Sequence, residues 1–124
     1  MTLAIETCDL AYQAGTSFSL QDVSLHVPTG AVYGFLGPNG SGKTTTIRLL
    51  LGLLRPRSGS IALLGQPVPG CLPQILARTG YVPERPHLYP TLTVQEAQAY
   101  HAAFYPSWNI RFAEDLTDRL GLDG

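Results

Sequence analysis

Eight consecutive residues, Gly37-Pro38-Asn39-Gly40-Ser41-Gly42-Lys43-Thr44, combine three glycines, a lysine and two hydroxyls in the spacing G-x-x-x-x-G-K-[ST]. The chemistry this spacing suits is the holding of a chain of phosphates. A triphosphate presents several negative oxygens close together. Glycines let successive backbone N–H groups turn inward around them with no side chain in the way. A helix that starts directly after the glycines aims its N-terminus, with its partial positive charge, at the same oxygens. Lys43 supplies a point charge for the β- and γ-phosphates, and Thr44 a hydroxyl for Mg2+. Thr45 is placed for the α-phosphate.

Such a loop needs a strand before it and an apolar helix after it. Ala31-Val32-Tyr33-Gly34-Phe35-Leu36 is a nearly continuous apolar run, which predicts a strand buried on both faces. From Thr44 to Leu54, the spacing of Ile47, Leu50, Leu51 and Leu54 predicts a helix ended by Arg55-Pro56, because the residue before a proline avoids helical angles. The rival dinucleotide fingerprint, Gly-x-Gly-x-x-Gly, does not fit glycines at 37, 40 and 42 followed by Lys43.

The rest of the chain supplies the surroundings. Alternation from Leu3 to Leu10 predicts a strand, Gln13 to Thr16 a turn, and Phe18 to Val27 a second extended stretch, interrupted near Asp22 and closed by Pro28-Thr29-Gly30. Ser60 to Leu64 reads as a strand ending at Gly65, Leu72 to Arg78 as a short helix, and Tyr81-Val82 as a strand end stopped by Pro83. Thr93-Val94-Gln95-Glu96 is a capping box that opens a helix to about Phe104. A last helix, with Phe112, Leu116 and Leu120 on one face, stops at Gly121. The pattern is α/β, with an antiparallel β portion at the N-terminus.

The 124 residues suffice for one small domain. A formal net charge of -1 argues against bare nucleic acid as the ligand, since such proteins carry a basic surface. Cys8 and Cys71 form no CxxC pair and read as reduced thiols. His26, His87 and His101 read as surface or packing residues. The start lacks a basic segment followed by an apolar one, so no signal peptide is expected. The longest apolar stretch, Leu49 to Leu54, is far below the ~20 residues a membrane helix needs. The expectation is a soluble, cytoplasmic chain that meets a membrane only through a partner.

Together these segments resemble the N-terminal half of an ABC transporter nucleotide-binding domain, over nearly the whole length. Gly37 to Thr46 is similar to the family's Walker A. Leu20 to Leu25 and Pro28-Thr29-Gly30 resemble the approach to it, and Gly52 to Ile61 the stretch after its helix. This last match is more specific to the family than the phosphate loop, which many NTPases share. The stretch Phe104 to Asn109 resembles a subset of exporter-type and drug-resistance-type ATPases. The resemblance implies an incomplete P-loop NTPase fold of ABC type, with about 1–85 as core and about 86–124 as the start of a helical subdomain. It implies ATP with Mg2+ as ligand, held by Gly37, Pro38, Asn39, Gly40, Ser41, Gly42, Lys43, Thr44 and Thr45. Tyr12 matches the aromatic residue that stacks on adenine, a contact of ~1–3 kcal/mol in other systems. Gly80-Tyr81-Val82-Pro83-Glu84 resembles the Q-loop, with Glu84 where the family has glutamine. Through the resemblance, Thr44 and Glu84 are the metal-ligand candidates. A carboxylate is a competent Mg2+ ligand, but it adds negative charge near the γ-phosphate.

The resemblance further implies an ATP-binding subunit that couples ATP binding and hydrolysis to transmembrane transport when complete. It would sit on the inner face of the membrane through a permease partner and pair with a second nucleotide-binding subunit. These 124 residues contain no Leu-Ser-Gly-Gly-Gln signature, no apolar run into Asp-Glu and no late switch histidine. The water-orienting half of phosphoryl transfer is therefore not carried here, and no catalytic residue is assigned. Without the parallel strands of that half, Ala31–Leu36 is expected to expose apolar side chains and unpaired backbone, leaving the chain marginal or prone to aggregate. Two other readings stand beside this one. A non-hydrolytic half-domain would bind nucleotide or a full-length partner. Another P-loop NTPase is the third reading; Asp118-Arg119-Leu120-Gly121 fits the GTPase Asp-x-x-Gly pattern, but it lies on a predicted helix end and no Asn-Lys-x-Asp guanine reader is present.

Overall fold

The N-terminal alternation forms β1 (Leu3–Ala14), which runs past the expected end at Leu10 and keeps Gln13 and Ala14 in the strand. The computed structural model describes residues 2–36, 42–85 and 87–122. It divides into two compact units, Met1–Leu76 and Ala77–Gly124.

In the first unit, a turn at residues 15–17 returns the chain as β2 (Phe18–Val23), antiparallel to β1, with Leu10 opposite Val23, Tyr12 opposite Leu20 and Ala14 opposite Phe18. Between the first two of these pairs, β2 carries one extra residue. Asp22 absorbs it at φ 53°, which is the interruption expected there. β3 (His26–Pro28) then pairs with the front of β1. Thr7 closes the gap between β2 and β3: its hydroxyl donates to the Val23 carbonyl (2.9 Å) and accepts from the Leu25 N–H (2.8 Å). Fully buried, it would otherwise leave these polar groups unpaired.

β4 (Ser58–Leu63) lies on the other side of β1, with Cys8 opposite Ser60 and Ala11 opposite Ser58. Here the bulge is in β1, where Asp9 takes φ 49°. Gly59 faces it at φ 88°. A β-carbon on Gly59 would stand 2.4 Å from the Asp9 oxygen and 2.6 Å from both the Cys8 oxygen and the Leu10 α-carbon, so only glycine admits this approach of two backbones. Leu64 and Gly65, at φ 52° and 76°, make a two-residue turn into β5 (Gln66–Val68), a strand the sequence pattern did not predict. The strand order is β2-β1-β4-β5, with β3 also on β1.

Two helices, α1 (Lys43–Leu50) and α2 (Leu72–Leu76), cover this sheet. Leu49, Leu50 and Ile75 from the helices join Leu10, Ile61 and Leu63 from the strands in one buried cluster. The helix expected to run to Leu54 stops at Leu50, because Gly52 at φ 73° ends it before Pro56 can. The Leu53 N–H donates to the Arg48 carbonyl (2.9 Å) and the Gly52 N–H to the Leu49 carbonyl (3.1 Å), a Schellman closure.

Two expected strands do not form. Ala31–Leu36 is irregular and exposed along its length, with Val32 at 102% and Leu36 at 96% relative exposure. Tyr81-Val82 is likewise irregular, with Val82 exposed. Among the described residues no strand pairs with either segment, and a central strand has no hydrogen-bonded form without neighbours.

In the second unit, α3 (Val94–Ala102) opens on the expected capping box: the Glu96 N–H donates to the Thr93 hydroxyl (3.2 Å) and the Thr93 N–H to the Glu96 carboxylate (2.8 Å). α4 (Ile110–Arg119) is capped by Asn109 and closes at Gly121, φ 65°. The Gln98 amide ties the two helices by donating to the Thr117 hydroxyl (2.6 Å). Among the described residues no helix is long and apolar enough to cross a membrane.

Candidate phosphate-binding site

The first turn of α1 is where the phosphate-loop pattern meets the structure. Gly37, Pro38, Asn39, Gly40 and Ser41 lie outside the described residues. Gly42 is the N-cap, buried, at φ 98° and ψ 8°. That left-handed geometry is open to glycine at little cost and strains any other residue.

The first-turn N–H groups of a helix have no acceptor within it. Most helices answer with an N-cap oxygen or a carboxylate in the first turn. Among the described residues no side-chain bond caps the start of α1, and its first turn holds no acidic residue. The positive end of the helix dipole here, with no carboxylate beside it, suits an anion placed in line with the axis. Lys43 adds its charge from the first helical position and is half-buried; Thr44 is exposed and Thr45 half-buried. A triphosphate with Mg2+ fits this donor set: positive potential, a lysine, and the exposed Thr44 to offer a hydroxyl to the metal.

Two supports escaped the sequence reading. Thr46 is buried, and both its N–H and its hydroxyl donate to the Gly42 carbonyl at 2.8 Å, which fixes the capping glycine to the helix. A threonine four residues after a glycine is a signal available in the sequence. Leu20 is the other. Its δ1-carbon stands 2.6 Å from where a β-carbon on Gly42 would begin, and the Phe18 ring 3.5 Å away, so β2 packs directly on the helix start. No local pattern announces that contact.

Tyr12 lies directly opposite Leu20 in the β1–β2 pair, so both side chains leave the same face of the sheet. Tyr12 is half-buried against the core cluster. The structure thus joins Tyr12, Leu20 and Gly42 in one unit. Glu84 is exposed and belongs to the other unit. A groove of about 650 Å³ in that unit is lined by Arg78, Tyr81, His101, Tyr105 and Trp108 among others, and Glu84 does not line it. Among the described residues no group of three or more histidine, cysteine, aspartate or glutamate side chains gathers as a metal cage.

Residues 20–124 match the ABC transporter family profile. The chain is similar to the bacitracin transport ATP-binding protein BcrA of Bacillus licheniformis, 44% identical over 122 residues, covering 98% of this chain and 40% of that protein. It is also similar to the Nod factor export ATP-binding protein I of Cupriavidus pinatubonensis, 44% identical over 96 residues, covering 77% of this chain and 30% of that protein. The chain thus spans well under half the length of these relatives. Among solved structures, an ATP binding subunit of an ABC transporter superposes with a TM-score of 0.75 at 34% identity, over 87% of this chain and 45% of that one. The cbiO1 protein of Clostridium perfringens, part of the cbiONQ transporter complex, shares the fold at a TM-score of 0.75 and 21% identity, over 98% of this chain and 51% of that one.

Proposed function

The chain belongs to the ABC transporter family, and from that premise we propose that it is the phosphate-gripping part of an ATP-binding subunit. The observation that carries the proposal is the start of α1: a left-handed glycine, no carboxylate in the first turn, and Lys43 and Thr44 following at once. In this reading Gly37 to Thr45 cradle the phosphates and Lys43 meets the β- and γ-oxygens. Thr44 would ligate Mg2+. Bound Mg2+ would neutralise phosphate charge. Tyr12 stacks on the base. Its support is its place on the sheet face that also carries Leu20, the residue packed on Gly42.

Proteins named like these relatives serve transport, and the cbiO1 neighbour is part of a complex. The corresponding role here is to couple ATP binding and hydrolysis to transport, in a whole protein seated on a permease at the inner membrane face and paired with a second nucleotide-binding subunit. In that whole, about 1–85 would serve as core and about 86–124 as the start of the helical subdomain.

A second reading applies to the 124 residues by themselves: they bind ATP and do not turn it over. What favours it is the exposed Ala31–Leu36 run beside the site, together with a sequence that carries no apolar run into Asp-Glu. Competition for a bound fluorescent ATP analogue separates these readings from a guanine-specific NTPase. ATP is expected to displace the analogue at far lower concentration than inorganic phosphate and at least as well as GTP. Clear preference for GTP would overturn the assignment.

A further inference from the structure

We propose that Arg57 and Gln13 are positioning residues for Tyr12, an inference that rests on the base-stacking reading of that ring. Tyr12 stands near the free end of β1, two residues before the strand ends at Ala14, where a two-stranded ribbon frays most easily. Three hydrogen bonds tie this end down. The Arg57 N–H donates to the Ala11 carbonyl at 2.7 Å, on one side of Tyr12. The Arg57 guanidinium donates to the Gln13 side-chain oxygen at 2.5 Å, on the other side. The Gln13 amide nitrogen in turn donates to the Gly15 carbonyl at 3.1 Å, inside the turn. One residue thus holds both chain neighbours of Tyr12, and through Gln13 it holds the turn as well.

The anchor behind this brace is stiff. Arg57 immediately precedes β4, and two residues on Gly59 lies backbone-to-backbone against the β1 bulge at Asp9. Arg57 therefore starts from a point whose distance to β1 is fixed by close contact rather than by a flexible loop. Strand alternation sends the Gln13 side chain to the face opposite Tyr12. The brace accordingly lies on the face away from the ring while setting where the ring stands. Gln13 and Arg57 are both exposed, and neither is needed to fill the core.

The test uses the full chain, with ATP and inorganic tripolyphosphate as separate ligands in calorimetric titrations. Tripolyphosphate meets the phosphate loop but has no base to stack. Arg57→Ala is expected to weaken ATP about five-fold, the loss of one charge-assisted hydrogen bond at an exposed site, while tripolyphosphate affinity stays unchanged. Arg57→Lys keeps a donor and restores most of the affinity for ATP. In a Tyr12→Ala background, Arg57→Ala adds no further loss. If Arg57→Ala leaves ATP affinity unchanged while Tyr12→Ala lowers it, the brace is refuted and the stacking reading survives. An equal loss for both ligands also refutes the brace, since it marks a general effect on the fold. If Tyr12→Ala itself leaves ATP affinity unchanged, the stacking reading fails and the positioning role falls with it.

Discussion

Leu20 reaches across from β2 to the N-cap of α1, its δ1-carbon 2.6 Å from the place where a β-carbon on Gly42 would stand. Gly42 is therefore constrained twice, by its left-handed φ of 98° and by the side chain above it. Gly42→Ala is expected to displace the helix start, with a stability loss of ~1–3 kcal/mol from the backbone alone. ATP affinity should fall in parallel. The double variant Gly42→Ala with Leu20→Ala removes the clash but not the strained φ. Titration calorimetry should show it regaining part of the affinity. Full recovery would mean that φ plays no part.

Gly59 and Gly65 make a controlled pair. Both have positive φ, but a β-carbon on Gly59 meets three β1 backbone atoms within 2.6 Å, whereas one on Gly65 meets nothing within 4 Å. Gly65→Ala should lower stability by ~1 kcal/mol, the left-handed penalty only. Gly59→Ala should lower it by ~2–4 kcal/mol, because backbone atoms cannot turn aside as a side chain can. Urea denaturation of the two variants measures the difference. Equal losses would show that the β1–β4 bulge yields.

What the sequence disclosed were the features settled within a few residues. The capping box at Thr93 and Glu96 and the stop at Gly121 depend on local hydrogen bonds, and both stand as expected. The helix after Gly42 begins one residue before the expected Thr44, at Lys43. Features that depend on a distant partner are not legible in local pattern. Ala31–Leu36 has the composition of a central strand, yet a strand needs neighbours, and none pairs with it among the described residues. Its exposure matches what the family resemblance led one to expect of these 124 residues taken alone. The end of α1 was misplaced because a glycine at the right position outranks a proline four residues on. β5 is short and carries Pro67, so no alternation announces it; the positive φ at Leu64 and Gly65 makes the hairpin. At the site, the chemical residues were legible as a motif. The packing of Leu20 on Gly42 and the Arg57–Gln13 brace were not, because each joins residues distant in sequence.

The central claim is that the start of α1 grips a triphosphate, with Lys43 as its charge. The most direct measurement is the ATP affinity of the 124-residue chain with Mg2+, beside that of Lys43→Ala, with circular dichroism to confirm equal folding. Removing a charge-assisted contact predicts a loss of about ten- to a hundred-fold. Equal affinity in the two folded proteins would contradict the account.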